Sequence, residues 1–111
     1  YQHLHPSIVR MLRLTAAAAR RRNVHLAVCG EMAGDLLAVP ILVGLGIDEF
    51  SVSPNVIPEV KRLIRSVTYD ECRALVRRVS NLRTTAEIEA EIEAFLKSHS
   101  PVAAAPGKQD A

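Results

Sequence analysis

The apolar positions of this chain change period along its length. From Pro6 they recur at Ile8, Leu12, Thr15/Ala16 and Ala19, the spacing of one buried helical face. Residues 1–5 read as a loop, and Pro6 suits a first helical position because its missing N–H is not needed there. Arg20, Arg21 and Arg22 put cations at the negative end of the helix dipole, with Asn23 as the candidate C-cap. The period then shifts. "VHLAV" (24–28) is short, apolar and partly β-branched, which predicts a strand buried on both faces, as in parallel sheets. Cys29 falls at its C-terminal end. "LLAVPILVGLG" (36–46) predicts a short helix capped by Asp35, with Pro40 in its first turns. "IDEFSVS" (47–53) predicts a second strand.

The remainder is helical. Ser53-Pro54 caps and opens a helix carrying Val56, Val60, Leu63, Ile64 and Val67 on one face. Thr68–Glu71 and Thr84–Glu87 are capping boxes. They predict helices over 69–80, with Leu75, Val76 and Val79 inward, and over 85–97, with Ile88, Ile92, Phe95 and Leu96 inward. Residues 98–111 have nothing to bury and read as a disordered tail, leaving 1–97 as the folded portion. The alternation of helices and strands indicates an α/β chain with a parallel sheet. Two strands are too few for a stable sheet, and the sequence does not begin with Met. The expectation is therefore a fragment: the last two βα units of a (β/α)8 barrel plus C-terminal helices. Barrel chemistry sits where strands end, which singles out Cys29 and the Ser51–Ser53 segment.

Composition narrows the class. The 111 residues are 49% apolar, lack Trp and carry a net charge of +2. That charge, without a stacking set of aromatics, gives no footprint for nucleic acid. The apolar run at 36–47 is short of the roughly 20 residues that span a bilayer, and Pro40 and glycines interrupt it, so no membrane insertion is expected. The N-terminus has no secretory h-region. Two widely separated cysteines match neither a metal-ligand spacing nor a disulfide framework, so reduced thiols in the cytoplasm are expected.

The candidate chemistry centres on Cys29. A lone cysteine serves readily as a small buried hydrophobe. Here it follows a strand, precedes Gly30 and lies two residues from Glu31. A neighbouring carboxylate works against a thiolate, which favours a proton donor over a nucleophile. A nucleophile needs a nearby base, and His25, back along the strand, is no obvious one. His3 and His5 form an H-x-H without an evident third zinc ligand. Glu31, Asp35, Asp48 and Glu49 flank the strand ends; they can hold Mg²⁺ or simply cap helices and pair with arginines. The Arg21/Arg22 and Arg77/Arg78 pairs read as solvated helix faces, and Cys72 as an inert residue inside an amphipathic helix.

"CGEMAGD" (29–35) followed by "LGIDEFSVSP" (45–54) resembles the C-terminal end of Enzyme I of the bacterial phosphotransferase system, the phosphoenolpyruvate–protein phosphotransferases. "YQHLHPSIVRML" (1–12) and the layout of the closing helices are similar to that family too, so the resemblance covers residues 1 to about 97. It implies a (β/α)8 barrel that binds phosphoenolpyruvate and Mg²⁺ and dimerises. It implies phosphoryl transfer through a histidine on a separate N-terminal domain to the carrier protein HPr. It implies that Cys29 is the general acid that protonates C3 of enolpyruvate. The family's Mg²⁺ ligands, phosphate-binding arginines and phosphohistidine lie upstream of Tyr1 in that resemblance. None of His3, His5, His25 or His99 sits in its phosphohistidine motif. Many relatives carry an acidic residue where this chain has Leu36. The implied function is that of an enzyme incomplete in this chain, with no metal ligands in it and with substrate-binding residues that stay unassigned and lie mostly upstream of Tyr1. Two other readings stand beside it: a non-catalytic helical interaction module, and a thiol redox sensor at Cys29.

Overall fold

The computed structural model describes residues 4–99. They form a mixed α/β arrangement that is mostly helical. The order is α1 (Pro6–Arg21), β1 (Ala27–Cys29), α2 (Val39–Gly44), β2 (Glu49–Ser51), α3 (Ile57–Arg65), α4 (Tyr69–Val79) and α5 (Thr85–His99). Single 3₁₀ turns at Met32–Gly34 and Pro54–Val56 precede α2 and α3. Among the described residues no helix is long and apolar enough to cross a membrane.

Local chemistry sets the ends of α1. Pro6 stands in its first turn, and His5 Nδ1 accepts a hydrogen bond from the Ser7 N–H at 3.0 Å. Asn23 takes a left-handed conformation, φ 55°, which Asn tolerates better than most side chains. Its N–H donates to the Arg20 carbonyl at 3.1 Å, and the Val24 N–H donates to that of Ala19 at 2.8 Å. These are the two bonds of a Schellman ending. Val9 and Ala16 are buried and Leu12 packs on the core, whereas Thr15 is exposed and bonds back to the Met11 carbonyl.

The core is built around α2. Val39, Pro40, Ile41, Leu42 and Gly44 are all buried, so this short helix is apolar all round, as a helix enclosed by others must be. Pro40 lies in its first turn, where no N–H is required. The helix is shorter than 36–46 predicts because residues 36–38 form a turn after Asp35. Asp35 does not cap α2 directly: its Oδ1 accepts from the Leu37 N–H at 3.0 Å, and its carbonyl receives the Ala38 and Val39 N–H groups. At the far end Gly46 has φ 82°. The Gly46 and Ile47 N–H groups close a second Schellman ending on Val43 and Leu42. The Arg20 guanidinium, from α1, donates to the Leu45 carbonyl at 2.9 Å. Arg20 thus places its charge at the negative end of α2 rather than serving α1 alone.

α2 packs most extensively on α4, whose Cys72, Leu75, Val76 and Val79 are buried. The two backbones meet at Gly44. A Cβ added there would collide with the Cys72 carbonyl and stand 2.8 Å from Val76 Cγ2. α5 completes the core with Ile88, Ile92 and Phe95. Both capping boxes form. Thr68 Oγ1 accepts from the Glu71 N–H while Glu71 Oε1 accepts from the Thr68 N–H at 2.9 Å. Thr84 and Glu87 make the same exchange, and the Arg83 N–H adds a bond of 2.9 Å to Glu87. α5 runs antiparallel to α4, as ion pairs Arg78–Glu91 at 2.8 Å and Glu71–His99 at 3.0 Å require. It extends to His99, past residue 97; from residue 100 the predicted tail lies outside the described residues.

The strands depart most from expectation. They span three residues each instead of 24–28 and 47–53, and they are not buried on both faces: Val28 and Phe50 are half-buried while their neighbours are exposed. A two-stranded sheet has helices on one side only and no further strands along its edges, so burial on both faces cannot arise among the described residues. On α3 the predicted face is only partly used. Val60 is buried, but Ile64 is 37% exposed, because α3 lies at the rim of the core. Ser53 precedes the 3₁₀ turn without a side-chain cap bond.

Two measurements test this packing. Gly44→Ala forces the α2 and α4 backbones apart and should cost about 1–3 kcal/mol, the usual cost of overpacking a core, seen as a lower denaturation midpoint. The second test is pH. Bonds from the Thr68 N–H and from His99 hold the Glu71 carboxyl below its ordinary value of 4.5. The Phe95 carbonyl and Glu71 hold His99 above 6.5, against burial and, less, the Arg78 charge. The Glu71 contribution is present above pH 4.5 and is lost as pH falls through its lowered folded value. The His99 contribution is present below pH 6.5 and is lost as pH rises through its raised folded value. The stability difference between wild type and Glu71→Gln should therefore peak between about pH 4.5 and 6.5 and shrink on both sides. A difference independent of pH would contradict the pairing.

Candidate active site

β1 and β2 pair in parallel, with Ala27 opposite Glu49, Val28 opposite Phe50 and Cys29 opposite Ser51. Successive strand residues alternate faces. Val28 and Phe50 pack against the helical core, so Cys29 and Ser51 lie on the other face, at the C-terminal ends of their strands, and both are exposed. Gly30 follows Cys29 with φ 88°, a conformation that glycine adopts without strain. The chain therefore turns sharply straight after the thiol. Glu31 begins the 3₁₀ turn, closed by Gly34 N–H to the Glu31 carbonyl and Asp35 N–H to that of Met32, each 3.1 Å. Buried Ala33 pins this turn to the body, and Asp35 ties it to α2.

A cleft of about 500 Å³ opens beside these strand ends, lined by Gly30, Glu31, Gly34, Ser51, Val52, Ser53 and Val56. Gly34 leaves room on its wall; a Cβ there would stand 3.3 Å from Val56 Cγ2. A second depression, about 340 Å³, lies at the opposite end of the strands between α1 and β1, against Arg20, Asn23, His25 and Asp48.

The residues singled out from the sequence separate into two groups. Glu31, Ser51 and Ser53 line the cleft; Cys29 stands next to it, joined to the lining residue Gly30, with Asp35 at the end of the adjoining turn. Asp48 and Glu49 are at the other end of the sheet. There the Leu26 N–H donates to Asp48 Oδ2 at 2.8 Å, and His25 Nε2 lies 3.0 Å from Glu49 Oε1. His25 is thus engaged by carboxylates away from Cys29. The four acidic residues do not form one set, and among the described residues no group of three or more His, Cys, Asp or Glu side chains gathers as a metal site. His5 caps α1, while His3 lies outside the described residues. Arg78 pairs with Glu91. Both thiols are free. Cys72 is fully buried, and burial, with the nearby Glu71 charge, pushes its thiol up to about 11, which removes it from chemistry at neutral pH.

The pairing of Cys29 with Ser51 is the feature that sequence reading did not supply. The signal available was the register that places apolar Val28 beside apolar Phe50, from which the outward pair follows by alternation. The arrangement offers an exposed thiol and hydroxyls at a cleft. It is suited to delivering a proton to a bound molecule, and among the described residues no histidine stands beside the thiol to activate it as a nucleophile.

The protein family described as PEP-utilising enzyme, PEP-binding domain matches residues 1–69. The chain is 35% identical over 97 residues to the phosphoenolpyruvate-protein phosphotransferase of Mycoplasma pneumoniae, covering 87% of this chain and 17% of that protein. It is 38% identical over 98 residues to that of Staphylococcus carnosus, covering 88% and 17%. It is 40% identical over 95 residues to the multiphosphoryl transfer protein of Escherichia coli O6:H1, covering 86% and 11%. The chain thus spans less than a fifth of the length of these curated relatives. With a family match over more than half its residues, the chain belongs to the family of PEP-utilising enzymes, as part of their PEP-binding domain.

Proposed function

We propose that these residues form the C-terminal part of the phosphoenolpyruvate-binding barrel of a phosphoenolpyruvate–protein phosphotransferase, and that Cys29 is its proton donor. The observation that carries the reading is the address of Cys29: an exposed thiol at the C-terminal end of a parallel strand, beside a cleft. In barrels that is the end where chemistry takes place. The names of the relatives support phosphoenolpyruvate as the substrate.

The chemistry then follows from the substrate. When the phosphoryl group passes to an acceptor histidine, the P–O bond to the enol oxygen breaks and its electron pair stays on that oxygen. The enolate formed carries electron density at C3. Cys29 delivers its S–H proton there, so that one C–H bond forms, the S–H bond breaks and pyruvate results. The thiolate regains a proton from water. A thiol suits this role because it is mostly protonated at neutral pH, as a general acid must be. The histidine, its domain and transfer onward to HPr belong to the rest of the protein in this reading, as do a homodimeric state and a cytoplasmic setting. Mg²⁺ is expected of the whole enzyme. The described residues do not assemble a site for it, and no step above runs through the ion.

Replacing Cys29 with Ala in the complete protein should lower pyruvate formation from phosphoenolpyruvate by about 100-fold or more, the usual contribution of a general acid. Phosphoryl transfer from phospho-HPr back to the histidine, which needs no proton at C3, should persist. Forward turnover at the wild-type rate would overturn the proton-donor role.

A further inference from the structure

Ser51 is the residue that β2 sets directly opposite Cys29. Register partners in a parallel sheet project to the same face, and neighbouring strands lie only about 4.8 Å apart. Both side chains are exposed, so each can turn about its single χ1 bond toward the other or toward the cleft that Ser51 lines. Ser53 also lines the cleft, but β2 ends at Ser51, and the register sets Ser51 rather than Ser53 opposite the thiol. Across the next paired positions on this face stand Ala27, which has no polar side chain, and Glu49, which is engaged with His25 at 3.0 Å. Glu31 brings a negative charge on the far side of Gly30, and a carboxylate opposes rather than supports a sulfur that becomes anionic.

We infer that Ser51 positions Cys29 and stabilises the sulfur left after proton transfer, by donating its O–H hydrogen bond to Cys29 Sγ. This rests on the proton-donor reading of Cys29. The balance is simple. The S–H proton moves to C3 of the enolate and becomes a C–H bond, and the electron pair of the broken S–H bond remains on sulfur. The Ser51 hydroxyl keeps its own proton and directs it at that pair. A hydrogen bond to an ionised group is about twice as strong as a neutral one, so it strengthens as the proton leaves and holds the sulfur aimed at C3 from the β2 side. In this role Ser51 takes no part in the proton's path and acts through Cys29. Its position at the end of β2, one strand from the thiol, is what allows this.

The test is alkylation of Cys29 by iodoacetamide at fixed pH, read by mass spectrometry, with buried Cys72 as the unreactive internal reference. Ser51→Ala should slow alkylation by about threefold, since the thiolate loses a hydrogen bond while its nucleophilicity rises in partial compensation. Ser51→Thr, which restores a hydroxyl at the same position and suits a strand, should recover the rate. In the complete protein, Ser51→Ala should lower kcat for pyruvate formation with KM for phosphoenolpyruvate unchanged, and Ser51→Thr should again restore it. Unchanged alkylation in Ser51→Ala, or no recovery with Thr, overturns the positioning role. If Cys29→Ala is inactive in the forward direction while Ser51→Ala is as fast as wild type, only the Ser51 inference falls. If Cys29→Ala turns over normally, the proton-donor reading itself falls.

Discussion

The close approach of α2 and α4 at Gly44 is the contact on which the other elements depend. Glycine there lets the backbone of α2 touch the backbone of α4 at Cys72, and van der Waals contact at that distance leaves no slack for sliding. α2 leads back through Asp35 to the turn that follows Cys29, and forward through its Schellman ending to β2. The two strand ends beside the cleft are therefore both hung from one short, largely buried helix. Arg20 closes the same helix from α1, so α1 is joined to this centre by a charged hydrogen bond as well as by apolar contact.

The family match ends at residue 69, where α4 begins. Yet the side of α2 that needs cover is covered by α4, and α4 is in turn covered by α5. The closing helices are thus part of the support for the strand ends and not an appendage to them. Two capping boxes and two ion pairs fix how these helices run. Glu71 takes part in both kinds of interaction: one carboxylate oxygen completes the cap of α4 while the other pairs with His99 at the end of α5.

The sheet is the reverse case. It has one half-covered face, formed by Val28 and Phe50, and one open face that carries Ala27, Cys29, Glu49 and Ser51. Polar groups at the two ends of that open face have separate duties. At the lower end His25 pairs with Glu49, and the Leu26 N–H donates to Asp48, which holds the strands together. At the upper end Cys29 and Ser51 stand open beside the cleft. A single narrow sheet thereby separates the polar groups that tie its strands together from the exposed Cys29 and Ser51 by about the length of a strand.

The helices were legible because their signals are local. Pro6, Asn23, the Thr68–Glu71 and Thr84–Glu87 boxes and the 3.6-residue spacing of Leu75, Val76, Val79, Ile88, Ile92 and Phe95 each act within a few residues. The address of Cys29 was legible too, since a short β-branched run followed by glycine marks a strand end. The strands' length and burial were not, because burial of a sheet depends on what packs against both faces and along both edges. Nor were the separation of Asp48 and Glu49 from Glu31, or the Schellman ending of α2 with Arg20 above it. These depend on which end of a parallel pair each residue reaches. The sequence by itself determined the extent of α1 and α4, the start of α5 and which thiol ends a strand, because those are decided by neighbours along the chain. The tertiary structure alone decided that Cys72 is sealed beneath Gly44 and that Ser51 stands beside Cys29, because both follow from how separate segments meet in space.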